Sequence, residues 1–197
     1  VLFSHPKDFT PVCTTELGVM AGMIDEFAKR NCKILGISVD PVDSHVKWKA
    51  DIETVSGNAV DYPMIGDPEL KVAKLYDMLP ASAGDSSEGR TPADNATVRS
   101  VFVIGPDKKV KLSLTYPMTT GRNFDELLRA SDSSQLTANH KVATPANWKH
   151  GEDGEAHKDY IRGHWDSVKH HSQGFYSNDL YDQEGDDVSF AYRGTFR

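Results

Sequence analysis

The residues with the clearest chemical potential lie in one short stretch, SHPKDFTPVCTTELG, residues 4–18. It holds Cys13, one of only two cysteines in the chain, with Thr10 three residues and Pro6 seven residues before it. His5 is also close in sequence. If a helix begins just before Cys13, free backbone N–H groups and the positive end of the helix dipole favour thiolate over thiol. The stretch therefore predicts a reactive thiol, and the alternative is a small buried apolar residue.

The elements that must position this cysteine alternate along the chain. Apolar residues at three- and four-residue intervals predict a helix over 12–30, and a near-continuous apolar run predicts a buried strand over 33–39. The other predicted elements are a helix over 41–57 capped by Asp43 or Ser44 and ended by Gly57, a strand at 62–66, a helix over 68–78, an exposed loop over 80–96, a hairpin of strands at 97–105 and 109–117, and a helix from 121. The order β-α-β-α-β-α-β-β-α is typical of a thioredoxin-like α/β fold with a mixed, mostly parallel sheet flanked by helices.

Composition excludes several classes of function. The formal charge of −7 gives no reason to expect a nucleic-acid-binding face. No apolar run approaches the 18 or more residues of a membrane span. Two cysteines cannot form a disulfide framework, which favours a reducing compartment, so we expect a cytoplasmic protein. The chain opens with Val-Leu-Phe in the middle of a predicted strand, so we expect further sequence upstream.

The stretch around Cys13 resembles the active-site motif of peroxiredoxins, and SHPKDFTPVCTTE is the form found in the one-cysteine, peroxiredoxin-6-like subfamily. Four further segments resemble that subfamily in the same order: FAKRN, GISVDPVDSHVKW, RSVFVIGPDKKVKLSLTYPMTTGRNFDELLR and QLTANHKVATPANWKHGED. The resemblance covers residues 1–153. It implies a peroxidase that reduces hydrogen peroxide, alkyl hydroperoxides and lipid hydroperoxides.

The resemblance also implies a role for each site residue. The Cys13 thiolate attacks the peroxide and becomes a sulfenic acid. By the resemblance, Thr10 supplies a hydroxyl partner for sulfur and peroxide, and Pro6 shields the site from water. Arg99 is the arginine that holds thiolate and peroxide together. Arg122 is a second arginine beside the site, Glu16 is the carboxylate that orients it, and His5 is a pocket histidine. Without the resemblance, Arg99 would be interpreted as a solvated strand-edge residue, Arg122 as a helix start and His5 as a loop histidine.

The second cysteine, Cys32, is not expected to resolve the sulfenic acid of Cys13. A continuous helix between them would separate them by roughly 27 Å, whereas a disulfide needs Cα atoms within about 7 Å. The sequence therefore predicts a one-cysteine cycle completed by an external thiol reductant, such as glutathione, with no bound cofactor.

The resemblance further implies a homodimer, with a peroxidase core over 1–136 and a C-terminal extension or dimerisation region over 137–197. Four histidines lie in the part of the extension after residue 150, and we interpret them as scattered surface residues because no second ligand cluster supports a metal site. They are His157, His164, His170 and His171.

Two other functions stay open at this point. A redox-sensing or chaperone-like interaction protein could use the same fold, with Cys13 oxidation switching assembly. Thr10 and Arg99 favour the enzyme, since a sensor needs only a reactive thiol. A lipid hydrolase is disfavoured, because this sequence lacks the GDSWG serine motif of phospholipase-type members, and Asp107 is more simply a turn residue of the hairpin.

Overall fold

The computed structural model describes residues 1–79, 96–140 and 144–151, without the side chain of His140. The strands are β1 (Leu2–Ser4), β2 (Leu35–Ser38), β3 (Met64–Gly66), β4 (Arg99–Ile104) and β5 (Val110–Tyr116). The helices are α1 (Pro11–Gly22), α2 (Ile24–Lys29), α3 (Val42–Ser56), α4 (Lys71–Leu75) and α5 (Phe124–His140). Only residue 96 of the loop predicted over 80–96 is described. The four histidines after residue 150 lie outside the described residues.

The five strands form one mixed sheet in the order β3-β2-β1-β4-β5. β1 pairs parallel to β2, and β2 parallel to β3. β4 runs antiparallel to both β1 and β5, so the last two strands form the predicted hairpin. The predicted thioredoxin-like α/β fold, with a mixed sheet flanked by helices, is confirmed.

The single helix predicted over 12–30 is wrong, because the chain forms α1 and α2 with a break at Met23. The backbone N–H of Met23 bonds the carbonyl of Met20, a tighter i→i−3 turn that ends α1. Gly22 weakens the helix at this point, since glycine is among the poorest helix formers. The separation of the two cysteines therefore cannot be derived from one straight helix.

Two other helix starts differ from prediction. α3 begins at Val42 after Pro41, without a side-chain cap, so the predicted caps Asp43 and Ser44 lie inside its first turn. α4 begins later than predicted because Leu70 has a left-handed φ of 57°, which keeps the preceding residues out of the helix. The Asp67 carboxylate accepts hydrogen bonds from the backbone N–H groups of Lys71 and Ala73. Gly57, with φ 72°, ends α3 as predicted.

The main core lies where α1 and α3 pack together beside β1 and β4. Phe3, Leu17, Trp48, Ile52 and Val101 are among its buried members, and Cys13 belongs to the same cluster. The reactive-thiol candidate is therefore part of the main hydrophobic core.

The chain divides into two compact units, residues 1–128 and 129–197. In the described part of the second unit, the Arg129 guanidinium donates a hydrogen bond to the carbonyl of Trp148. The predicted division at 136/137 stays a prediction. Among the described residues, the helices are all too short or too polar to cross a membrane.

Candidate active site

Cys13 occupies the first turn of α1. Pro11 opens the helix and Thr10 is its N-cap residue, with extended backbone angles. Proline is well suited to this first position because its missing N–H would have no partner there. The Cys13 side chain is fully buried, and its sulfur lies at the positive end of the helix dipole.

Arg99 reaches this sulfur from the first position of β4. Its Nη1 lies 3.4 Å from Cys13 Sγ and 2.6 Å from Glu16 Oε2, to which it donates a hydrogen bond. Its Nε donates to the carbonyl of Met118 at 2.8 Å. Arg99 is only 3% exposed, so the alternative of a solvated edge residue is wrong.

Glu16 joins Arg99 to the second arginine, Arg122. Arg122 donates to the carboxylate through Nε at 3.0 Å, Nη2 at 2.8 Å and its backbone N–H at 2.8 Å. Its Nη1 donates to the carbonyls of Ser4 at 2.8 Å and Ser100 at 3.1 Å. Burial lowers the pKa of Arg122, and the Glu16 carboxylate opposes that shift. Because two guanidinium nitrogens of Arg122 bond the two carboxylate oxygens of Glu16, the planes of both side-chain groups are fixed.

The charges of this buried cluster do not balance when Cys13 is a neutral thiol. Arg99 and Arg122 carry two positive charges, and Glu16 carries one negative charge. An uncompensated charge is costly in a buried, weakly polarisable setting. A thiolate at Cys13 supplies the missing negative charge within hydrogen-bond reach of Arg99. The arrangement therefore favours the nucleophilic form of the sulfur.

The loop before α1 holds the other predicted site residues. Pro6 is buried, and its role as a shield of the sulfur stays a prediction. The Thr10 hydroxyl donates to the carbonyl of Lys7 at 2.9 Å rather than to Cys13. The structure thus brings Cys13 together with Arg99, Glu16 and Arg122, whereas the Thr10 hydroxyl makes a different bond in this conformation.

His5 belongs to a buried group that sequence reasoning missed. Its Nε2 lies 2.7 Å from Asp8 Oδ1, and Asp8 Oδ2 lies 2.7 Å from His45 Nδ1. Burial lowers the pKa of His5, although its bond to Asp8 opposes this. Burial alone would also lower the pKa of His45, but the bond to Asp8 and its charge, the bond to Ile65 and the charge of Asp40 together outweigh burial and raise the value. No local sequence signal connects His45 with the loop, because 37 residues separate it from Asp8.

These three side chains also bring together the kinds of atom that bind metals, within 4.8 Å of one another. Their 2.7 Å separations are hydrogen-bond distances, and protons between the nitrogen and oxygen atoms account for them. Asp107, by contrast, is an exposed residue of the hairpin turn that pairs with Lys111 at 2.7 Å. That pairing fits its interpretation as a turn residue.

Comparisons with known proteins agree with this site. The model of the AhpC/TSA family matches residues 1–113, and that of the C-terminal domain of 1-Cys peroxiredoxin matches residues 133–154. 1-Cys peroxiredoxin A of Oryza sativa subsp. japonica is 52% identical over 153 residues, which cover 77% of this chain and 67% of that protein. Peroxiredoxin-6 of Rattus norvegicus is 51% identical over 156 residues, with the same two coverages. The chain thus spans about two thirds of the length of these relatives.

Solved structures give the same result. A cysteine-to-serine mutant of peroxiredoxin 6 from Arenicola marina is 46% identical, with a TM-score of 0.69 over 77% of this chain and 67% of that one. A yeast mitochondrial 1-Cys peroxiredoxin is 48% identical, with a TM-score of 0.67 over 77% of this chain and 70% of that one. The chain belongs to the AhpC/TSA family, as a peroxiredoxin of the one-cysteine, peroxiredoxin-6-like kind.

Proposed function

We propose that this peroxiredoxin is a thiol peroxidase in which Cys13 reduces hydrogen peroxide and organic hydroperoxides, lipid hydroperoxides among them. The observation that carries the proposal is the charge imbalance of the buried cluster. Two arginines face one carboxylate, and the Cys13 sulfur lies where a negative charge completes the balance. Peroxiredoxins need no prosthetic cofactor, and these side chains supply the required polarity themselves.

The chemical step follows from this geometry. The Cys13 thiolate attacks the nearer peroxide oxygen, an S–O bond forms and the O–O bond breaks. The sulfur loses two electrons and becomes a sulfenic acid, which keeps the hydroxyl proton of the attacked oxygen. The other oxygen leaves as hydroxide or alkoxide and takes a proton from water. Arg99 is placed to donate hydrogen bonds to this developing negative charge.

An external thiol completes the cycle in this proposal. Cys13 and Cys32 are thiols that form no disulfide with each other, and Cys32 donates a weak hydrogen bond to the carbonyl of Arg30 at 3.5 Å. The yeast mitochondrial 1-Cys peroxiredoxin is described as resolving its thiol via glutathione and thioredoxin systems. By this likeness we propose glutathione, or another small or protein thiol, as the reductant.

The proposal extends to assembly and location. A homodimer is consistent with the position of β5 at one end of the sheet, where in the described residues one edge of the strand has no neighbouring strand. Low cysteine content fits a reducing compartment such as the cytoplasm. Sedimentation of the purified chain would test the first of these proposals, and cell fractionation the second.

A single-turnover experiment tests the function. The reduced protein is mixed with one equivalent of hydrogen peroxide in the presence of dimedone and analysed by intact-mass and peptide mass spectrometry. We expect one dimedone adduct on Cys13, with Cys32→Ser as the matched control that behaves like wild type. A reductant-coupled assay then separates an enzyme, which turns over many equivalents, from a sensor, which stops after one. An unmodified Cys13 would refute the proposal.

A further inference from the structure

The start of the loop that leads into the active-site helix is held by the backbone of His5, which hydrogen-bonds Ile37 and Thr97. The middle of the loop is attached through Asp8. Its carboxylate spans two histidines, His5 within the loop and His45 on α3, at 2.7 Å each. Its backbone N–H donates to Asp40 Oδ2 at 2.9 Å, just beyond the end of β2. Asp8 is 3% exposed, so these bonds are shielded from competing water.

The hydrogen-bond pattern requires His45 to carry both ring protons. Its Nε2 can only donate to the carbonyl of Ile65, 3.2 Å away, because a carbonyl has no proton to give. Its Nδ1 then donates to the Asp8 carboxylate, which makes His45 an imidazolium. The charged and titratable groups facing it are Asp8 and His5 from the loop and Asp40 after β2. The two carboxylates favour the cation, whereas His5 would oppose it only if it were protonated.

The loop needs this attachment because its conformation is intrinsically unfavourable. Phe9, directly after Asp8, has φ 55°, a left-handed conformation that side chains other than glycine rarely adopt. Phe9 is 54% exposed, and among the ring pairs of the described residues its ring meets only that of Trp48, with centroids 5.9 Å apart. Its own packing is therefore a weak restraint, and the next residue is Thr10, the N-cap of α1.

We propose that His45, acting through the carboxylate of Asp8, is a positioning residue of the peroxidase site. It holds the loop of residues 5–10 in the conformation that leads into the first turn of α1, where Cys13 lies. This inference rests on the proposed function, since it assigns a role within the same reaction. His45 does not touch the reacting atoms, so its effect is on geometry rather than on chemistry.

Two variants separate the two bonds of His45. In His45→Asn the side-chain nitrogen takes the place of Nδ1 and keeps the bond to Asp8. In His45→Gln it takes the place of Nε2 and keeps only the bond to Ile65. Met78→Ala, which truncates a fully buried side chain of the second hydrophobic cluster, to which Cys13 does not belong, is the control for a general loss of stability. The rate of Cys13 oxidation by peroxide is followed by rapid quench and mass spectrometry from pH 6 to 10, at a temperature where each variant is folded.

We expect His45→Gln to oxidise about tenfold to a hundredfold more slowly than wild type, because small displacements in an active site have effects of that size. His45→Asn should keep most of the rate, and Met78→Ala should react like wild type. Wild type should also lose rate at high pH as His45 gives up one of its two ring protons, and His45→Asn should lack this limb because an amide does not titrate.

Equal rates and equal pH profiles in wild type and both His45 variants would overturn the inference. Should His45→Gln fail to fold, the presence or absence of the alkaline limb in His45→Asn still decides the question. Failure of wild type itself to oxidise at Cys13 would refute the proposed function instead, so the two failures are distinguishable.

Discussion

Replacing Arg99 by methionine removes the positive charge next to Cys13 while keeping an unbranched stem of similar length. In wild type the Arg99 Nη1 lies 3.4 Å from the sulfur. In the variant, Arg122 and Glu16 still pair and their charges cancel. A thiolate at Cys13 would then be an unbalanced buried anion. We therefore expect a smaller ionised fraction of Cys13 at neutral pH and a slower reaction with peroxide.

The magnitude follows from the distance. Two unit charges 3.4 Å apart attract by about 5 kcal/mol at an effective dielectric constant of about 20. Arg99 offers this attraction to the negative charge that develops as the O–O bond breaks, and loss of one such donor at other preorganised sites slows the reaction by a factor of about 10² to 10³. We therefore expect at least a hundredfold slower oxidation.

Two measurements on the same sample check this expectation. The alkylation rate of Cys13 against pH reports its ionised fraction, and stopped-flow mixing with peroxide reports the oxidation rate. Arg99→Lys is the matched control, since it keeps the charge but loses the planar two-point geometry, and its rate should lie between the other two. Wild-type values for both measurements in Arg99→Met would show that Arg99 plays no electrostatic part.

Three further outcomes are expected. Cys13→Ser should abolish peroxide turnover in a reductant-coupled assay while Cys32→Ser keeps most of it, and comparable losses in both would contradict a one-cysteine cycle. Burial alone would raise the pKa of Asp8, but hydrogen bonds from His45 and His5 outweigh it and hold the value below its usual range. The carboxylate therefore stabilises the fold fully above pH about 4, and urea titrations should show this contribution vanishing as pH falls further, with a weaker pH dependence in Asp8→Asn. Gly66→Ala should destabilise the fold by about 1–3 kcal/mol, because its Cβ would lie 2.8 Å from the backbone O of Asp40; an unchanged melting temperature would disprove this steric argument.

Much of the fold was accessible from the sequence because its signals are local. Apolar patterns indicated each strand and helix of the described residues except that α1 and α2 were predicted as one helix, and the β4–β5 hairpin was marked by its turn residues. The errors lie at helix ends. The break at Met23 and the delayed start of α4 at Lys71 depend on backbone angles that side-chain patterns encode weakly.

The site residues likewise divide into those that the sequence identified and one that it did not. Family resemblance identified Arg99, Glu16 and Arg122, and the structure places all three in one bonded cluster with Cys13. Their pairing spans up to 106 residues of sequence, so spacing alone could not reveal it. His45 went unrecognised because it occupies a helix position with no chemical motif around it.

The charge imbalance of the buried cluster also couples folding to oxidation. The reduced thiolate completes the balance among Arg99, Glu16 and Arg122, whereas a sulfenic acid, being neutral, leaves one positive charge uncompensated. Folding therefore stabilises the thiolate form of Cys13 more than its sulfenic acid. By linkage, the first oxidation lowers the free energy of unfolding. A sulfinate carries a negative charge again, so over-oxidation restores the balance that the first step removes. We therefore expect the resistance of this protein to denaturant to depend on the oxidation state of Cys13. It should be lowest for the sulfenic acid, the form on which the reductant acts.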